Sequence, residues 1–360
     1  MNPDALKLTT YFGERDRAGG RFLADALIDL YARRETRASV LLRGIEGFGL
    51  THHLQTDRLL SLSEDLPVVS VAVDTRERIE AALPDVGELH GHGLITLERA
   101  RLWTRSADAP PVPGRSAKLT VYLGRRQRLR DAPAHVAVTA IMHEAGVAGA
   151  TTLMGVDGTA HGLRRRGRFA GRNPDVPLMV IAVGDSERID VAAELLGAAL
   201  PNPLMTVERV QVCKRDGELL ARPRVLDAAD ASGLALWQKL MVYAGEQARH
   251  DGRPLYPQIV NELRGAGARG ATVVRGIWGY HGDHEPHGDR LLSLRRHVPV
   301  VTIVVDTPDR ARGWFEVIDD LTDETGLVTS ELVPALRARA PGAGHGGLLL
   351  ADDLVDPDGG

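Results

Sequence analysis

Three stretches of the chain begin alike: KLTTYFGERDR at Lys7–Arg17, KLTVYLGRRQR at Lys118–Arg128 and KLMVYAGEQAR at Lys239–Arg249. They start 111 and then 121 positions apart. The same spacing carries Gly44 onto Gly155 and Gly276, and Gly47 onto Gly158 and Gly279. Stretches one and three align without a gap at an offset of 232 over most of their length. SVLLRGIEGFG falls on ATVVRGIWGYH, DRLLSLSEDLPVVSVAVDT on DRLLSLRRHVPVVTIVVDT, and Asp74 on Asp306. Chance does not produce self-similarity of this extent. Each unit is about 97 residues long, the size of a domain rather than of a solenoid repeat.

Period and punctuation give the elements of one unit. Lys7–Gly13 alternates and is β-rich, so it reads as a strand. Arg21–Arg34 places Phe22, Leu23, Ala26, Leu27, Leu30 and Tyr31 at helical spacing. Ala38–Arg43 reads as a second strand that Gly44 stops, and Pro67–Asp74 as a buried third strand. Thr75–Leu83 reads as a short helix capped by Asp74 or Thr75, and Gly93–Trp103 as the last strand. The order β-α-β-β-α-β predicts a ferredoxin-like α+β unit, repeated three times in tandem. The expected domains are 1–103, 118–213 and 239–336, joined by a Pro-rich spacer and a longer polar linker. The tail 337–360 is rich in Gly, Pro and Asp and is expected to be disordered, although LLLADDLV could dock as a strand.

Composition sets outer limits. The chain has 360 residues, 43% hydrophobic and 26% charged, the balance of a soluble globular protein. Lys and Arg number 44 against 48 Asp and Glu, a net charge of −4. No nucleic-acid partner is therefore expected. The single cysteine, Cys213, excludes an internal disulfide and a cysteine-built zinc site, which fits a reducing cytoplasm. No apolar run approaches the roughly 20 residues that span a bilayer, and MNPDALKLTTYFGERDR shows no apolar signal region.

Several constellations carry chemistry. In RGIEGFG and RGIWGYH, glycines Gly44, Gly47, Gly49, Gly276 and Gly279 could bring backbone N–H groups close to an anion. Arg43 and Arg275 could pair with phosphate or carboxylate, and Phe48, Trp278 and Tyr280 could stack on a ring. The opposing reading is a glycine turn opening a mobile loop of about Gly44 to Leu66, with arginines as ordinary surface charges. His281, His284 and His287, with Asp283 and Glu285, could hold zinc or nickel, against the reading of a solvated polar loop. Arg164–Arg172 is a basic run suited to an acidic partner. Catalysis finds no Walker A, G-x-S-x-G or H-E-x-x-H motif, and no enzymatic activity is expected. Cys213 reads as a packed residue. Glu98, Glu208 and Glu331 recur at equivalent places in the last strand of each unit, which suggests a structural cross-unit ion pair.

The elements KLTTYFGERDR, SVLLRGIEGFG, DRLLSLSEDLPVV and GLITLE, with their counterparts in unit three, resemble the DUF190 family, a PII-like group. The resemblance spans nearly all of units one and three and is weaker in unit two. It implies small ferredoxin-fold proteins that assemble as trimers, with ligand clefts between neighbours and a long loop that contacts a regulated partner. Three units in one chain would then make a monomeric pseudo-trimer. The resemblance also places the GELHGHGL segment, with Gly87, Gly91 and Gly93, on the ligand cleft; the opposing reading is a helix C-cap. It implies an adenine nucleotide as ligand, no tightly bound cofactor, and a membrane transporter or ion channel as partner. Unit two departs from the pattern, with Met154 in place of Arg43 and Arg275 and no LLSL segment, which puts a ligand site there in doubt. Two other classes remain: a metal-binding protein similar to CutA using the His-rich loop, and a structural adaptor that binds no small molecule.

Overall fold

Alternation does in three dimensions what its period dictates. In the computed structural model Lys7–Gly13 lies within the strand Asp4–Gly13, whose residues alternate between two buried faces. The structure describes residues 4–50, 52–57, 65–105, 112, 114–160, 163–164, 176–281, 287–288 and 298–352. Repeat one continues through helix α1 (Leu23–Arg33), strands Ala38–Phe48 and Pro67–Thr75, helix α2 (Arg76–Leu89) and strand Gly93–Leu102. Its first strand lies between the third and the fourth, and the second flanks the third, all antiparallel. Repeat two carries helices α3 (Ala134–Glu144) and α4 (Ser186–Ala199), and repeat three α5 (Leu255–Gly265) and α6 (Pro308–Leu321).

The architecture corrects the expected class. The described residues are 48% strand and 25% helix, a mostly antiparallel sheet with a closed nine-strand barrel and six helices among them. It is not a tandem ferredoxin-like α+β arrangement, and it is not three separate units packed as a pseudo-trimer. The overturning observation is the pairing across repeat boundaries. Ala38–Phe48 of repeat one pairs with Ala271–His281 of repeat three, which pairs in turn with Gly149–Met154 of repeat two. Asp157–Ala160 of repeat two returns to repeat one. At the other edges, Leu204–Arg215 of repeat two meets both Gly93–Leu102 and Leu327–Val333. All of these strands belong to one sheet, which counts nineteen strands among the described residues. The physical cause is that each repeat has two open edges with unpaired N–H and C=O groups, and closing the circle satisfies them.

Burial follows. Each repeat keeps a core between its sheet and its helices: Leu27 and Ile79 in repeat one, Val138 and Ile189 in repeat two, Ile259 and Phe315 in repeat three. The opposite faces of the strands fill a shared core, where Val71, Ile181 and Ile303 meet.

Three local expectations shift, and the open choice of cap is decided. The second strand runs through Gly44 to Phe48 instead of stopping at Arg43. Helix α2 continues past Leu83 to Leu89 although Pro84 removes one of its donors. Asp74 does not cap α2; Thr75 is the N-cap residue, with no side-chain cap bond. Residues beyond Arg337, expected to be disordered, include a hairpin of Ala335–Ala340 with Ala343–Gly347. It pairs with Gly93–Leu97 of repeat one and buries Leu336 and Ala338 in the shared core. Composition gives no hint of an available sheet edge, so the disorder reading missed it.

Candidate functional site

Each repeat opens with a lysine whose neighbour across the strand pair is a glutamate: Lys7 with Glu98, Lys118 with Glu208, Lys239 with Glu331. All six side chains are buried. They close an alternating ring. Lys7 lies 3.0 Å from Glu98 and pairs with Glu208; Lys118 lies 3.1 Å from Glu208 and 2.5 Å from Glu331. Lys239 lies 2.7 Å from Glu331 and pairs with Glu98, completing the circle. This is the cross-unit ion pairing that the recurrence of the glutamates suggested. Burial pushes Glu331 up, but the pull of Lys118, Lys239 and Lys7 outweighs it and holds the carboxyl at about 2. The same balance holds Glu98 well below the carboxylate range. The three carboxylates converge within 4.8 Å, as a metal cage would. Three ammonium groups already alternate with them and supply the compensating charge, so the cluster does not fit a cation.

The glycines of the RGIEGFG and RGIWGYH motifs serve strand pairing. A Cβ on Gly47 would lie 2.6 Å from the Ala271 carbonyl oxygen, and one on Gly279 2.3 Å from that of Ala150. In repeat two a Cβ on Gly158 would lie 2.1 Å from the Ser39 oxygen. In each case the glycine admits the neighbouring repeat's backbone. Gly44 and Gly276 likewise face Val273 and Thr152 across the boundary. Phe48 and Tyr280 are buried, Tyr280 donating its hydroxyl to the Val147 oxygen at 3.0 Å. Trp278 is half-buried, edge-on to His135. Gly49 is exposed with open space around it.

The two arginines have carboxylate partners. Arg43 lies 2.8 Å from Glu14, and Arg275 lies 2.6 Å from Glu246 and 3.5 Å from Asp57 of repeat one. Repeat two has Arg125 at the place of Glu14 and Glu246, and Met154 at the place of Arg43 and Arg275, so this pair is lost there.

A positive cluster lies at the same end of the barrel, and sequence reasoning missed it. The tail strand carries Arg337 and Arg339 onto the loop that follows α2. Arg337 donates to the Gly87 oxygen at 3.2 Å, where a side chain at position 87 would crowd it. Burial, with Arg339 beside it, lowers the Arg337 guanidinium. Among the described residues neither arginine is within ion-pair distance of a carboxylate. His90 lies under them, buried, with its Nε2 atom unpartnered. Burial, then Arg337, lowers its pKa to about 4. Gly91 is exposed and open, and Gly93 sits at φ +103° against the Tyr11 oxygen. The signal in the sequence is RARA at Arg337–Ala340, within a tail whose Gly and Pro content reads as disorder.

The metal reading rests mainly on residues outside those described. His284 lies outside them, His287 is described as backbone pairing with Gly279, and His281 lies 3.7 Å from Asp216. Most of the basic run Arg164–Arg172 also lies outside them. Cys213 is buried, and burial pushes its thiol up to about 12, so it is no nucleophile at neutral pH. Among the described residues no helix is long and apolar enough to cross a membrane.

Comparison with known proteins matches this repeat structure. The model of the family DUF190, described as "Uncharacterized ACR, COG1993", matches residues 5–102, 116–212 and 237–335. A UPF0166 protein of Aquifex aeolicus (strain VF5) is 30% identical over 97 residues, 27% of this chain and 90% of that protein. A further match to a UPF0166 protein of the same organism is 36% identical over 67 residues, 19% of this chain and 70% of that protein. Among solved structures, a mutant chlorite dismutase from Candidatus Nitrospira defluvii is 12% identical, covering 58% of this chain and 92% of its own, at a TM-score of 0.16. That likeness is too slight to carry over a fold or an activity. With three family matches covering most of the chain, one on each repeat, the protein belongs to the DUF190 family.

Proposed function

We propose that the chain is a non-catalytic, PII-like regulatory protein that binds a small anionic metabolite, with an adenine nucleotide as the leading ligand. Binding takes place where the glycine loop after α2 meets the strand of repeat three's tail. The observation that supports this reading is the pair Arg337 and Arg339, held without a carboxylate partner over Gly87–Gly93. Guanidinium forks and open backbone N–H groups are complementary to phosphate oxygens. The long segments between second and third strands leave the barrel at this same end, beside Glu14 and Arg43. Ligand charge there would alter how those loops meet a partner protein, a membrane transporter or channel in this reading.

His90 makes the reading testable without knowledge of the partner. A bound phosphate opposes the field of Arg337, so ADP should raise the His90 pKa from about 4. Calorimetric titration with AMP, ADP and ATP, with NMR titration of His90, reads both effects. Saturable binding lost in Arg337→Gln/Arg339→Gln, with the His90 shift, supports the site. Absence of saturable binding, or binding indifferent to the double substitution, sinks it.

A further inference from the structure

The opposite end of the barrel holds a second charged site. Residue Asp4, which begins the first strand, pairs in register with Arg101, whereas Tyr11 pairs with Leu94 beside the glycine loop. Around Asp4 and Arg101 opens a cleft of about 820 Å³. Its wall carries Arg99, Arg101, Arg115, Arg209, Arg215 and Arg224. The facing acids are Asp4 and Asp185, so the lining has an excess of positive charge. Asp4 is also 3.8 Å from Arg76. Arg115, Arg209 and Arg215 have no carboxylate partner among the described residues, and the buried Nε of Arg215 has no hydrogen-bond partner.

The cleft is a product of joining the repeats. Arg115 belongs to the end of the first linker and Arg224 to the second, while Arg99 and Arg209 occupy equivalent places in two last strands. Divergence of repeat two contributes as well. Asp74 and Asp306 are buried and clamped by arginines in repeats one and three. Their counterpart Asp185 is exposed and turned onto the cleft. Leu220, Leu226, Val210 and Leu332 give the cleft an apolar wall beside the guanidiniums.

We infer that this cleft binds a small organic phosphate with two or more negative charges, its body against the apolar wall. Planar guanidinium forks bind phosphate oxygens in pairs. Arg115, Arg209 and Arg215, which have no carboxylate partner among the described residues, repel one another, and a multiply charged anion relieves this where a monocarboxylate would not. The volume falls within the roughly 300–1,000 Å³ of small-molecule sites. A ligand here touches all three repeats and the second linker at once, and so braces the chain.

The test titrates the full-length chain calorimetrically with inorganic pyrophosphate and with ADP, and with adenosine as the uncharged control. To blank the other end, the titration is repeated in Arg337→Gln/Arg339→Gln. Both phosphates should still bind there, ADP at least as tightly as pyrophosphate. Arg115→Gln/Arg209→Gln should weaken this binding by about tenfold or more with an unchanged melting temperature, since both side chains are exposed. Asp185→Asn should tighten it, a gain that misfolding cannot imitate. No saturable phosphate binding in the Arg337→Gln/Arg339→Gln background overturns the site, and leaves the function proposed at the other end standing. Equal affinity with and without Arg115 and Arg209 overturns it too. Pyrophosphate binding with ADP excluded removes the organic phosphate class.

Discussion

At the scale of the residue, the buried ring of three lysines and three glutamates sets the strictest constraint. Removing one partner of a buried pair costs about 3–5 kcal/mol, because the abandoned charge stays dry. Lys118→Met leaves Glu208 and Glu331 with one lysine each and should lower the unfolding free energy by about that amount. The pH dependence has a definite sign. Glu331 has an ordinary pKa of 4.5 and is held at about 2, so its contribution is full above the ordinary value and lost as pH falls towards 2. Such a shift corresponds to about 3 kcal/mol. Urea unfolding measured from pH 7 down to 2.5 should show this loss, with a shallower slope in Lys118→Met, where Glu331 is less depressed. An unchanged slope would mean that the ring does not hold the carboxylates ionised. The sequence showed the recurrence of both residue types. It did not show that the circle closes, because closure depends on which repeat edges meet.

The element scale explains why the glycine motifs were only half legible. Gly44 and Gly47 looked like the start of a loop, since glycine punctuates chains more often than it continues strands. The strand Ala38–Phe48 runs through both, because another repeat's backbone lies where side chains would be. Nothing local in the sequence records a neighbour more than 200 residues away. Gly279→Ala should destabilise by about 1–3 kcal/mol, because the backbone oxygen of Ala150 cannot retract as a side chain would. Amide exchange should quicken at Gly149–Leu153, the segment paired with this strand in repeat two. Gly49→Ala is the control: nothing lies within 4 Å of its Cβ, and stability should stay within about 0.5 kcal/mol. Equal effects at the two positions would refute the packing account. The tail hairpin teaches the same lesson. Its Gly-rich composition is that of a disordered segment, yet an open edge at Gly93–Leu97 and the burial of Leu336 order it.

For the whole molecule, the repeat count and the order of elements were legible, whereas the barrel was not, because strand edges leave no side-chain signature. The Aquifex relative is matched over 90% of its length by about one repeat of this chain. A domain-by-domain view of three such repeats predicts three nearly independent melts. The pairing predicts otherwise. Each repeat gives two strand edges to its neighbours, and each shares the central core and takes part in two of the ring's three cross-repeat lysine–glutamate steps. Unfolding repeat two alone would strip the edges of Ala271–His281 and Gly93–Leu102, break three of the six ring contacts and open the core where Ile181 meets Val71 and Ile303. Those losses make a partly unfolded chain less stable than either end state. Calorimetry should therefore record one transition, with equal van't Hoff and calorimetric enthalpies. Lys118→Met should lower its midpoint without splitting it, because the shared sheet remains. Two or three resolved transitions would show that the repeats hold their own cores and that the barrel merely docks them.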